Sequence, residues 1–443
     1  MGTLLKGGTL VELEPATVEV AALRVEEGKI VARGVDAVSQ PGDEIIDLAG
    51  KLVLPGLVSA HHQLYSTLLR GAPRDGSGFV AEQAALKRLE EALDLDAVQA
   101  AAAAGGLEGL MAGTTALLDL HASPNGIGDS LSRIARGLSD VGLRAVLAYA
   151  VTERYGAIGR EEGLEETVAF LKRARGRIRG AFGIADVEEM SDEGLQALRD
   201  AWSPSGALLQ LSIGEDPQEE SRSLARWSKT PVQRLNELGL IGERTVMAQG
   251  VHLSWPELSA IQDVGAWIAH SPRSNMASQT GSAAAAKFGH RGCIGTDTQS
   301  LDVFAEAQTA WLRARDAGQP IDVLRYLANG HRLVSAAFGL TLGPLRVGAL
   351  ADLVILDYRP PTPLSAETLA QHVLNGITAR HVESVMVDGI WRLWGRKPLA
   401  VKPDEVAAVS RVAAKSTWAR MAEAEKGAVA KKKPVTSEEA QAS

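Results

Sequence analysis

The chain has 443 residues, 45% of them hydrophobic, enough for one large domain with a full core and a smaller appended unit. Its net charge of −8 carries no basic stripe, which argues against nucleic acid as a partner, and its single cysteine, Cys293, excludes an internal disulfide framework. No run approaches the roughly 20 apolar residues of a membrane span, and no N-terminal apolar segment suits export, so the cytoplasm is the expected compartment.

Residues 1–56 alternate apolar and polar side chains at 9–13, 23–25 and 29–32, punctuated by Gly7, Gly8 and Gly28, and read as β-strands. The pattern then changes. Eight strand-length apolar runs follow, at 57–61, 116–120, 143–150, 178–184, 208–213, 244–249, 266–270 and 292–297, each closing on or beside a polar residue. Most intervals carry helix-like sequence, as at 80–93, 97–111, 127–140 and 192–200. Strands alternating with helices imply parallel pairing, and eight such units close a ring, so 57–344 predicts a (β/α)8 TIM barrel. Residues 345–400 return to alternation at 351–357 and 385–389. Neither end is long enough to bury a core alone, so the two predict one small β-sandwich built from both chain ends. A terminal helix is expected over 410–425, within a segment 401–428, and 429–443, with Lys431, Lys432 and Lys433, reads as a disordered solvated tail.

In such a barrel the chemistry sits at the C-terminal ends of the strands. Here those ends bring His61, Asp119, Glu153, Asp186, Ser212 with Glu215, Gln249 with His252, His270 and Asp297. Two imidazoles at i and i+2 on a strand share a face and can hold one divalent ion. In this chain His61 and His62 are adjacent and predict opposite directions, and the position two after His61 is Gln63, whose carboxamide is a poor zinc ligand. The pair is half a site.

Several longer motifs go further: 55–71, Gly113-Thr114-Thr115, 119–124, 248–253, 270–276, Gly295-Thr296-Asp297 and 360–364. Across residues 5–420 the chain resembles the amidohydrolase superfamily, in the branch of cytosine deaminase-like, chlorohydrolase-like and guanine deaminase-like enzymes, and most resembles the SsnA-like aminohydrolases. That resemblance implies a divalent metal held by a His-x-His pair, a third His and an Asp, a proton-shuttling Glu and a His that holds the attacking water. By position these fall on His61, Gln63, Ser212, Asp297, Glu215 and Gln249, and a substrate-contacting His falls on Ala185. Only His61, Glu215 and Asp297 keep the implied residue type, so a degenerate metal site is expected.

Around it the resemblance places Tyr65 and Arg70 on a substrate-side loop. His252 and His270 are the only proposed substitute ligands, and His270 is expected as a pocket wall or as a hydrogen-bond partner of Asp297. Arg273 and Asn275 are expected to organise the loop around Asp297, while Asp119 and His121 either face a ligand or cap a helix. Glu215 and Asp297, two carboxylates without a metal between them, predict that one is protonated or paired with a cation.

Three functional readings follow. The first is a pseudoenzyme that has lost metal-dependent hydrolysis and binds a small molecule or an active paralogue. The second is an active aminohydrolase on non-peptide C–N bonds of N-heterocycles with a rearranged site. The third is a metal-independent lyase or isomerase using Glu215 and Asp297. No cofactor is expected, zinc or iron entering only if other residues rescue the site, and the resemblance implies a homodimer.

Overall fold

The computed structural model describes residues 2–74 and 76–432. The N-terminal segment forms strands β1 (Thr3–Lys6), β2 (Thr9–Leu13), β3 (Ala16–Val20), β4 (Leu23–Glu26), β5 (Lys29–Arg33), β6 (Glu44–Asp47) and β7 (Leu52–Pro55). The barrel strands are β8 (Leu57–His62), β9 (Thr114–His121), β10 (Arg144–Val151), β11 (Ile178–Asp186), β12 (Leu209–Ile213), β13 (Thr245–Gln249), β14 (Trp267–His270) and β15 (Gly292–Ile294), and β16 (Leu353–Leu356), β17 (Val382–Val387), β18 (Ile390–Trp394) and β19 (Lys397–Pro398) complete the set.

The terminal strands make two sheets. One, ordered β5-β4-β1-β6, is wholly N-terminal, whereas the other, β19-β18-β17-β16-β7-β2-β3, mixes both chain ends. Strand β16 is the join, antiparallel to both β7 and β17, with Val354 opposite Leu54 on one side and Val385 on the other. Leu5, Leu23 and Val53 share a core with Leu353, Ile355 and Met386, as two halves too small to bury a core alone require. Arg144, at the start of β10, fastens this unit to the barrel: its Nε and Nη2 donate to the Asp352 carboxylate at 3.0 and 3.2 Å, both side chains are buried, and the guanidinium lies 5.0 Å from the Phe338 ring.

All eight barrel strands pair in parallel in chain order. Each falls on one of the eight apolar runs, because parallel strands covered on both faces read as near-continuous apolar sequence. The last run was expected to reach 297, but β15 stops at Ile294. Beyond it the chain crosses to β8: His62 and Asp297 form an isolated parallel bridge, and the N–H groups of Thr296 and Asp297 both donate to the His61 carbonyl, at 2.8 and 3.0 Å. Strand β8 carries an irregularity in register, Ser59 pairing with Leu117 and His62 with Asp119.

Helices fill the intervals. Those expected at 80–93, 97–111, 127–140 and 192–200 are Phe79–Ala92, Leu95–Met111, Ser130–Val141 and Asp192–Trp202, two of them started by the caps Asp94 and Ser191, whose side chains accept the N–H of Ala97 and Gly194. The terminal helix runs Pro403–Lys432, so it begins before 410 and takes in 429–432, which were expected in a disordered tail; 433–443 lie outside the described residues. Among the described residues no helix is long and apolar enough to cross a membrane.

Candidate functional site

The C-terminal ends of β8, β13 and β14 and the loop after β15 meet at the floor of the barrel mouth. His61 Nε2 stands 3.3 Å from Asp297 Oδ1, and the other carboxylate oxygen accepts from Ser274 Oγ at 2.5 Å. Burial works against ionisation of Asp297, but its contacts with His61, Ser274 and Gln249 outweigh it and hold the carboxyl below its ordinary value. His62 does point elsewhere. Its Nδ1 meets Thr296 Oγ1 at 3.0 Å, which in turn meets Ser59 Oγ at 2.8 Å, and burial lowers the His62 pKa to about 3. Asp297 and Gln249 have positive φ, 46° and 78°, in the left-handed region that few residues other than glycine enter. Gln249 is fully buried, and its Oε1 accepts from Asn275 Nδ2 at 2.6 Å.

Above this floor opens a cavity of about 340 Å³. Gln63, Tyr65, Arg70, Ala185, Ser212, Glu215 and Asp297 line it, while His61, Asp119, Gln249 and His270 lie buried behind its surface. Glu215 faces it beside other acids: burial first, then Asp297, Glu219 and Asp186, raise its pKa well above the ordinary carboxylate range. The two retained carboxyls are thus shifted in opposite directions, Glu215 upward and Asp297 downward.

The remaining expected residues divide. Asp119 accepts the first N–H of the 3₁₀ turn Leu64–Leu69, from Leu64 at 2.7 Å, so it caps that turn; burial raises it to about 7. His121 bonds Ser123 Oγ at 2.9 Å, packs edge-on to Tyr65, and is lowered to about 3 by burial. Glu153 turns away from the mouth to accept from Ser191 N at 2.6 Å. Arg70 sits at the exposed rim paired with Glu108 at 3.0 Å. Arg273 ties the loop after β15, its Nε donating to Glu306 at 2.6 Å and Nη2 to the Ser300 carbonyl at 2.5 Å.

Two expectations fail. His252 is no part of the cavity, because the left-handed turn at Gln249 and Gly250 carries it out to the surface, where it is exposed and bonds the Thr280 carbonyl at 2.8 Å. His270 makes no hydrogen bond to Asp297 among the described residues; it packs edge-on to Phe288, and burial lowers its pKa to about 4.

Several wall residues were not anticipated, three charged ones among them. Lys87 and Glu90, on the helix Phe79–Ala92, and Arg154, after β10, line the cavity. Arg154 pairs with Asp186, with Glu189 at 3.1 Å and with Glu90 at 3.7 Å. Glu90 carried a readable signal, since it falls on the buried stripe with Leu86 and Leu89, where an acid needs a partner.

The donor set does not fit a zinc or iron ion. Among the described residues no three His, Cys, Asp or Glu side chains group as metal ligands. The carboxamide oxygens at the positions where the resemblance asked for imidazoles are already engaged, Gln63 Oε1 with Tyr65 Oη at 3.0 Å and Gln249 Oε1 with Asn275, and Ser212 offers only a hydroxyl.

Comparisons with known proteins agree with this architecture. The 5-methylthioadenosine/S-adenosylhomocysteine deaminase of Haloarcula marismortui is 30% identical over 417 residues, covering 88% of this chain and 92% of the relative. The 5'-deoxyadenosine deaminase of Methanosarcina mazei is 26% identical over 438 residues, covering 94% and 99%. Two solved structures share the fold: an adenosine deaminase from Xanthomonas campestris with bound zinc, at TM-score 0.84 and 24% identity over 94% of this chain and 98% of that one, and atrazine chlorohydrolase TrzN from Arthrobacter aurescens TC1 complexed with zinc, at 0.81 and 19% over 93% and 100%. The amidohydrolase family model matches residues 52–392, and with the eight-stranded barrel the chain belongs to the amidohydrolase family.

Proposed function

We propose that this chain binds a nucleoside-like N-heterocycle in the barrel-mouth cavity without a divalent metal, and without the hydrolysis that a metal would drive. The observation that carries the reading is the floor itself. His61 and Asp297 face each other directly, Ser274 occupies the second carboxylate oxygen, and carboxamides or a hydroxyl stand at the three other positions. One imidazole and one carboxylate fall short of the three or four protein ligands that usually hold zinc. The relatives supply the ligand class, being named as deaminases of adenosine-type nucleosides. Metal content of the purified protein, ammonia release from adenosine and 5-methylthioadenosine, and calorimetric binding of both nucleosides test the proposal. Substoichiometric metal, no ammonia and saturable binding are expected; one metal per chain with chelator-sensitive ammonia release would overturn it.

A second reading rests on the split carboxylates. Glu215, pushed upward by burial and neighbouring acids, and Asp297, held downward by His61 and Ser274, border one cavity, and a pair driven apart in this way suits the acid and base of metal-independent lyase or isomerase chemistry. Turnover of a nucleoside panel that is abolished by both Glu215→Gln and Asp297→Asn, and untouched by chelator, would favour it.

A further inference from the structure

A short chain of hydrogen bonds enters the cavity wall from the helix Phe79–Ala92. Tyr65 Oη lies 2.8 Å from Glu90 Oε1 and 3.0 Å from Gln63 Oε1. Tyr65 and Glu90 are buried, and Gln63 is half-buried on the cavity surface. A phenol has one proton, so it cannot donate to both oxygens at once.

Only two arrangements satisfy all three groups. In the first, a neutral Glu90 donates to Tyr65, Tyr65 donates to Gln63 Oε1, and the amide nitrogen of Gln63 is left toward the cavity. In the second, an ionised Glu90 accepts from Tyr65, and the Gln63 amide turns so that its nitrogen donates to the phenol oxygen and its own oxygen faces the cavity. The structure has the Gln63 amide oxygen on Tyr65 Oη, which is the amide orientation of the first arrangement.

We propose that the Glu90–Tyr65–Gln63 chain sets the hydrogen-bond polarity of the cavity wall: Gln63 donates to a carbonyl oxygen of the bound heterocycle in preference to meeting an amino group, and Tyr65 relays the protonation of Glu90 to that contact. The inference rests on the cavity being a ligand site, as proposed above.

The groups facing Glu90 come from several elements: Tyr65 from the 3₁₀ turn, Tyr149 from β10, Arg154 beyond it, Asp186 from β11 and Lys87 from its own helix. Burial dominates and raises the carboxyl to about 7, reinforced by Asp186 and opposed by Tyr65, Arg154 and Lys87. Below that value the acid is neutral and the wall donates; above it the wall accepts. The chain therefore inverts across neutral pH.

Inosine and adenosine form the probe pair, carrying a carbonyl and an amino group at the same ring position. Calorimetric Kd values at about pH 6 should favour inosine by about tenfold, the effect of one well-placed hydrogen bond, and the ratio should shrink or invert by about pH 8. In Glu90→Gln the new amide donates to Tyr65 at every pH, so the acid-side ratio should persist at about pH 8, whereas Tyr65→Phe should erase it throughout. A readout free of ligand is the Gln63 side-chain amide in protein labelled with 15N-glutamine, assigned by its loss in Gln63→Met. Its signal should titrate with a near-neutral midpoint in the unmodified chain and stay fixed in Glu90→Gln and Tyr65→Phe. If neither nucleoside binds, the ligand class falls and the amide signal alone decides the relay. A signal that is flat in the unmodified chain, or that titrates unchanged in Glu90→Gln, overturns it.

Discussion

Restoring imidazoles at 63, 212 and 249 tests the account of the barrel floor most directly. Gln63→His and Ser212→His would give the His61–Asp297 pair two further ligands that suit zinc or iron, and Gln249→His would return the imidazole that the resemblance places beside the attacking water. The structure has room for the exchange. Ser212 borders a cavity of about 340 Å³, Gln249 stands at φ 78°, where histidine is tolerated better than most residues, and an imidazole there can accept the N–H that Asn275 now gives to the carboxamide. With free zinc at about 100 times its Kd, binding would add about 2.7 kcal/mol to the folded state. For 443 residues, at an unfolding entropy of roughly 2 cal/mol/K each, that raises the melting temperature by about 3 °C. Scanning calorimetry with and without zinc, paired with elemental analysis, reads both quantities. The triple variant should shift and carry one zinc per chain, and the unmodified chain should do neither. A zinc-dependent shift in the unmodified chain would refute the reasoning, as would a folded triple variant that takes up no metal.

Two further outcomes concern stability. Asp352→Ala should cost about 3 kcal/mol in urea denaturation, because it takes the two-point partner from the buried Arg144 guanidinium and leaves it only the Asp388 carboxylate at 3.4 Å; pairing Arg144→Met with Asp352→Leu should recover only part of the loss, since the Asp388 N–H, which donates to Asp352 at 2.7 Å, stays without an acceptor. The pH profile of unfolding should peak on the acid side of neutral. His270, lowered to about 4, and His62 and His121, lowered to about 3, bind protons more weakly folded than unfolded, so stability falls as pH drops below about 6.5. Glu90, Asp119 and Glu306, raised to about 7, and Glu219, raised to about 8, hold protons in the folded state that the unfolded chain releases, so stability also falls as pH climbs from about 4.5 toward those values. A midpoint that keeps rising with pH from 6 to 8 would contradict this balance.

The barrel was legible because its strands are short, covered on both faces and therefore written as apolar runs whose polar ends mark one rim. The residue types at Gln63 and Ser212, where the family resemblance implies imidazoles, were legible too, since residue type is what the sequence states. What could not be read was how side chains are spent. Gln63 and Gln249 look like free carboxamides in the sequence, yet each has its oxygen taken by a residue from another element, Tyr65 and Asn275. His252 lies only three positions past Gln249 and reads as a rim residue, but two successive left-handed residues send it outward. Arg154 and Glu90 meet across the wall although 64 positions of sequence separate them, a proximity set by the winding of the barrel. The terminal helix starts earlier than expected because Pro403 suits the first helical position and Asp404 and Glu405 favour the first turn.

The placement of β16 between β7 and β17 has a consequence for how the protein is made. Strand β7 leaves the ribosome about 300 residues ahead of its antiparallel neighbour, an interval of roughly 15–60 s at ordinary elongation rates. Throughout that time one flank of β7 offers bare N–H and C=O groups to any strand it meets. Nascent chains halted before 353 should therefore depend on holding factors and clump in their absence, while the released full-length chain covers that flank itself.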